Sequence, residues 1–147
     1  MVKEHYLGQS LILLILLSQR EVKLLYIFGG LPGTGKSELS KYLSETIGAI
    51  YLRIDTIEQA LKNNGIGNIY DEGYKIASSI ASENLKLGQS VVADSTNPVK
   101  ESRELWRNVA TRSSAQFIEI EVVCSDLLEH KQRIEARISD IQELKLP

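Results

Sequence analysis

Residues 30–37 read GLPGTGKS, and their neighbours decide how they are to be taken. Before them lies a short apolar run rich in branched and aromatic residues, residues 22–28 (VKLLYIF), stopped by Gly29-Gly30. Such a run predicts a buried strand. After them, Leu39, Leu43 and Ile47 recur at a spacing of four and Gly48 closes the segment, which predicts a helix over 37–47. The octapeptide fits G-x-x-x-x-G-K-[ST] in the strand-to-helix setting that a phosphate-binding loop needs. Gly30, Gly33 and Gly35 let the backbone turn with its amides inward, where a side chain would block an approaching phosphate. The helix that follows directs its positive dipole end at the same anion. Thr34 completes the loop, Lys36 supplies a mobile charge for β/γ-phosphates, and the Ser37 hydroxyl can ligate Mg²⁺.

Outward from the loop, strands and helices alternate. Residues 49–54 predict a second strand, 55–62 a short helix, 70–87 a longer helix carrying Tyr74, Ala77, Ile80, Ala81 and Leu85, and 90–93 a third strand. A polar turn at 94–97 leads to a helix with Asn97 as its cap and Pro98 as its first residue, running to about Arg112. Residues 117–123 (FIEIEVV) alternate into a fourth strand, and 126–138 form a last helix with Asp126 and Glu129 at capping-box spacing. The pattern calls for an α/β fold in which a parallel sheet is covered on both faces. Ligands of such sheets bind beyond the carboxyl ends of the strands.

Composition limits the alternatives. At 147 residues the chain is about one domain, and 43% hydrophobic residues suffice for a core. A net charge of −2 lacks the basic footprint of a general nucleic-acid binder, so any attraction to phosphate is local. A single cysteine, Cys124, cannot form an intramolecular bridge and suits a reducing, cytoplasmic compartment. The apolar run 11–17 (LILLILL) is far short of the ~20 residues that span a bilayer, and no signal cleavage pattern follows it. It reads as an added element packing on the domain or as a dispensable extension.

With these segments in hand, the chain resembles the small predicted kinases of the P-loop superfamily, catalogued as AAA-type ATP-binding proteins and related to zeta-toxin-like, chloramphenicol phosphotransferase-like and polynucleotide kinase-like enzymes. The resemblance rests on GLPGTGKS together with IYLRIDTIEQAL, VVADSTNP, ESRELWR and EIEVVCSDLLEHKQRIEAR, and covers roughly residues 24–137. It implies a three-layer P-loop fold with sheet order 2-3-1-4. It implies ATP and Mg²⁺ as cofactors and transfer of the γ-phosphoryl group to a hydroxyl of a small molecule or a nucleotide end. It places Asp55 at the acceptor hydroxyl, Asp94 on the nucleotide side with Ser37 as a metal-holding pair, Arg103 near the substrate, and Arg133 and Arg137 on a closing lid. Each has a second reading. Asp55 with Glu58 matches a capping box, Asp94 can serve the local turn, and Arg133 and Arg137 can lie on a solvated face with Glu129 and Glu135. Arg53 can aid the substrate or be exposed. Trp106 and Cys124 read as buried, and His130 as exposed without zinc-ligand companions.

The resembling kinases begin near the first strand, so 1–21 reads as an N-terminal extension and 22–147 as the domain. They also continue past residues 144–147 with a further strand and helix, so the sheet reads as truncated before a fifth strand. An ATP-binding module or ATPase that transfers to water, or an inactive fragment, remain the alternatives. Neither the acceptor nor the oligomeric state is written in the sequence.

Overall fold

The computed structural model describes residues 11–12, 23–96 and 99–123. Four strands run in parallel: β1 (Leu24–Gly29), β2 (Ile50–Arg53), β3 (Val91–Asp94) and β4 (Gln116–Glu121), in the order β2-β3-β1-β4. Four helices connect them: α1 (Lys36–Ile47), α2 (Ile54–Asn63), α3 (Glu72–Lys86) and α4 (Lys100–Arg112). The expected sheet order is the one observed.

Alternation along β1 explains the layering. Leu25 and Ile27 face one core with Leu52, Val91 and Ala93, which Ala77, Ala81 and Leu85 of α3 and Trp106, Val109 and Ala110 of α4 cover. Leu24, Tyr26 and Phe28 face the other, with Val92 and with Leu43 of α1. Both faces of a parallel sheet must be buried, and every residue of β1 is. Leu11 and Ile12 are helical and join the α1-side core, so the start of the 11–17 run packs on the domain.

Several boundaries move. The helix expected from residue 55 begins at Ile54, directly after β2, so Arg53 is the cap position and makes no side-chain cap bond. The Asp55–Glu58 capping box is therefore not formed, because Asp55 already lies inside the first turn. Asp94 is the last residue of β3 rather than the first of a turn. The helix expected from Pro98 starts at Lys100 with extended Val99 before it, which displaces Asn97 from the cap. Asn97 and Pro98 themselves lie outside the described residues. Ile80, expected inside, is 37% exposed, while small Ser78 and Ser82 are buried instead. Where α3 meets α4, Ser82 and Ser113 hydroxyls bond across the gap at 3.0 Å. Residues 126–138, with Cys124 and His130, lie outside the described residues.

Candidate phosphate-binding site

The loop after β1 is shaped by three glycines in conformations that L side chains rarely adopt: Gly30 at φ 138°, Gly33 at 79° and Gly35 at 88°. At Gly30 space is the second constraint, since a Cβ would stand 2.4 Å from the Val122 carbonyl oxygen. Gly30 is held from both sides: its amide donates to Thr96 O at 3.3 Å, and the Val122 amide donates to Gly29 O at 2.9 Å. The Thr34 hydroxyl donates to Leu31 O at 2.8 Å and closes the loop on itself. Gly35 caps α1 without any side-chain acceptor, which is the arrangement in which an anion can cap the helix instead.

At the carboxyl end of the sheet, Lys36, Ser37 and Asp94 come together. The Lys36 ammonium pairs with Asp94 Oδ1, both side chains being almost fully buried. The Ser37 hydroxyl donates to Asp94 Oδ2 at 2.7 Å. A third donor, Tyr51 OH, reaches the same Oδ2 at 2.5 Å. Burial alone would raise the Asp94 carboxyl, but the Lys36 charge and the bonds from Lys36, Tyr51 and Ser37 hold it below the usual carboxylate range. Burial, then the Asp94 charge and hydrogen bond, push the Tyr51 phenol up, so it remains a donor. An ionised acid thus faces a cation beside the glycine loop.

The donor set bears on Mg²⁺. Ser37 and Asp94 offer hard oxygens within one cluster, and among the described residues no group of three His, Cys, Asp or Glu side chains could cage a metal unaided. This fits a cation that takes one or two protein oxygens and completes its shell with phosphate and water.

The other expected residues are placed as follows. Asp55 is half-buried in the first turn of α2, just beyond the carboxyl end of β2. Arg53 is buried rather than exposed and stands in register with Asp94. Arg103 is exposed on α4, and its charge acts on Glu119 of β4, where Arg107 makes a two-pronged pair. Arg133 and Arg137 lie outside the described residues. Trp106 is fully buried, as expected, and its Nε1 donates to Ser95 Oγ at 3.3 Å, next to Asp94.

Tyr51 belongs to this cluster although no motif in the sequence marks it. Residues alternate across a strand, and Tyr51 pairs in register with Val92, two before Asp94. That arithmetic places its side chain on the Asp94 face once β2 and β3 are known to be neighbours.

The sequence profile of the AAA domain family matches residues 25–143. Solved structures share the fold. A candidate kinase from Chloroflexus aurantiacus is 24% identical with a TM-score of 0.67, over 86% of this chain and 76% of that one. The Mycobacterium tuberculosis APS kinase, solved in complex with AMPPNP and APS, is 22% identical with a TM-score of 0.61, over 86% and 77%. A gluconokinase from Sinorhizobium meliloti is 17% identical with a TM-score of 0.54, over 85% and 71%. No curated protein matches the chain by sequence. No helix among the described residues is long and apolar enough to cross a membrane.

Proposed function

The chain belongs to this AAA domain family, and from that premise we propose that it is an ATP-dependent phosphotransferase acting on a hydroxyl of a small molecule or a nucleotide end. The observation that carries the reading is the convergence of Lys36, Ser37 and Asp94 beside a loop whose three glycines take positive φ, as a nest of inward-facing amides would require. The backbone amides of 30–37 and the start of α1 bind the phosphates, and Lys36 leaves Asp94 to neutralise the β/γ-oxygens. Ser37 and Asp94 would hold Mg²⁺, which when bound supplies positive charge to the same oxygens.

In the transfer, the bond between the γ-phosphorus and the β–γ bridging oxygen breaks and a bond from γ-phosphorus to the acceptor oxygen forms. ADP leaves with the bridging electrons, and the hydroxyl proton passes to the Asp55 carboxylate, which α2 presents beyond the end of β2. Arg133 and Arg137 neutralise the migrating phosphoryl, and Arg103 contributes to the acceptor side. The compartment consistent with one unbridged cysteine is the cytoplasm.

The test is a panel of hydroxyl compounds offered with γ-labelled ATP. Label is expected to move to one class of acceptor, with ATP consumption rising as that acceptor is added. Consumption indifferent to every alcohol would assign the chain as an ATPase and leave Asp55 without this role.

A further inference from the structure

We propose that Tyr51 is a positioning residue that fixes the Asp94 carboxylate for the cation once nucleotide has drawn the other two donors away. The inference rests on the reading of Asp94 as the metal-holding acid. Three donors share one carboxylate: Lys36 on Oδ1, and Ser37 and Tyr51 on Oδ2, at 2.7 and 2.5 Å. Two of the three belong to the phosphate loop and its helix, and both have work elsewhere when polyphosphate arrives. The Lys36 ammonium follows the phosphate oxygens, and the Ser37 oxygen turns a lone pair toward the metal. Tyr51 has no such second task. It belongs to β2, its backbone is locked in register beside Val92, and its ring packs into the core that holds Val92 and Leu43.

Chemistry assigns what remains. The terminal torsion of an aspartate is broad and roughly two-fold, so a carboxylate stripped of its donors can present either oxygen, or both poorly. A phenol fixed to Oδ2 settles the choice: Oδ2 stays with Tyr51, and Oδ1, vacated by Lys36, is the oxygen given to the cation. Mg²⁺ demands near-ideal octahedral geometry, whereas Ca²⁺ tolerates irregular shells of six to eight oxygens. A loosened Asp94 therefore penalises Mg²⁺ more than Ca²⁺, so Tyr51 acts on metal discrimination as well as on affinity.

The test compares the full-length protein with its Tyr51→Phe variant, which keeps the ring in the core and removes the phenol with its bonds to Asp94 and Ser40. ATP binding is measured by calorimetry in EDTA, and the Mg²⁺ and Ca²⁺ midpoints are then titrated on the ATP-saturated proteins. The expected result is EDTA affinity within about twofold of wild type, with the Mg²⁺ midpoint raised roughly tenfold or more, the usual worth of a hydrogen bond to a charged group. The Ca²⁺ midpoint moves less. An unchanged Mg²⁺ midpoint overturns the proposal, as does an equal loss of affinity in EDTA and in both metals, which would mark Tyr51 as packing alone. Failure of the underlying reading shows separately, in wild type: ATP binding there that ignores Mg²⁺ altogether removes Asp94 from metal duty.

Discussion

Asp94→Asn should make the empty protein less stable and yet bind metal-free ATP more tightly. The side chains of Lys36 and Asp94 are 5% and 0% exposed, so neutralising the acid leaves a buried ammonium facing an amide. Breaking a buried pair from one side costs about 3–5 kcal/mol. Because asparagine keeps one acceptor oxygen where Asp94 has two, one for Lys36 and one shared by Ser37 and Tyr51, the lower end of that range applies, about 3 kcal/mol, or a fall of about 6–12 °C in the melting midpoint of a domain this size. For ATP the sign reverses. In wild type the phosphates must draw Lys36 from a carboxylate, at the expense of a charge-assisted bond worth about 1.5–3 kcal/mol net. Relieving that competition should tighten ATP in EDTA by roughly 10- to 100-fold, while the gain on adding Mg²⁺ disappears. Thermal melts of the empty protein and calorimetry in EDTA read the two arms. A variant as stable as wild type, with unchanged or weaker metal-free ATP binding, would refute the reasoning, since Lys36 would then not be held by Asp94.

Further outcomes follow from the same geometry. Gly30→Ala places a Cβ 2.4 Å from Val122 O at φ 138°; strain of this kind costs about 1–3 kcal/mol before the clash is counted, and a denaturant midpoint equal to wild type would show that the chain just after β4 does not press on the loop. Trp106, the single tryptophan, reports on the site through Ser95; its emission should change saturably with Mg²⁺-ATP, and a flat titration under conditions where calorimetry sees binding would break that link. Glu58, packed against Gly73, has its carboxyl pushed up by burial first, with Glu72 adding to the rise and Lys62 opposing it. An acid raised in the folded state weakens the fold while ionised and ceases to do so as pH falls through its folded pKa. Glu58→Gln should therefore be the more stable protein at neutral pH, converging with wild type as pH drops into the ordinary carboxyl range; melts across pH check this, and a gap that widens toward acid would contradict it.

What the sequence disclosed, it disclosed through periodicity and the loop. Period-two burial on β1, a four-residue stripe on α1, and glycine at the positive-φ positions are local properties, so the strands and the loop were within reach of the residues alone, while the strand order and the pairing of Ser37 with Asp94 came with the family resemblance. Boundaries were harder to read because competing local signals occur there. Asp55 with Glu58 has the spacing of a cap, yet β2 passes into α2 without a turn, so the cap position falls on Arg53. Pro98 favours a helix start, but Val99 is extended and the helix begins at Lys100. Ile80 sits at a core spacing, but α3 turns Ala77, Ser78, Ala81 and Ser82 inward, and the Ser82 hydroxyl bonds Ser113 at the end of α4. Tyr51 and the burial of Arg53 depend on the pairing of β2 with β3, which a one-dimensional reading of either strand does not contain.

The central claim is that residues 30–37 form a cradle for a polyphosphate tail, and titration of the full-length protein with Mg²⁺-ATP and with AMP, each repeated on Lys36→Met, tests it most directly. The account predicts that ATP binds at least about a hundredfold tighter than AMP, as expected if β- and γ-phosphates carry the recognition, and that the lysine substitution removes this preference in a protein whose circular dichroism is unchanged. Equal affinities for the two nucleotides, or an ATP preference that survives loss of Lys36, would contradict it.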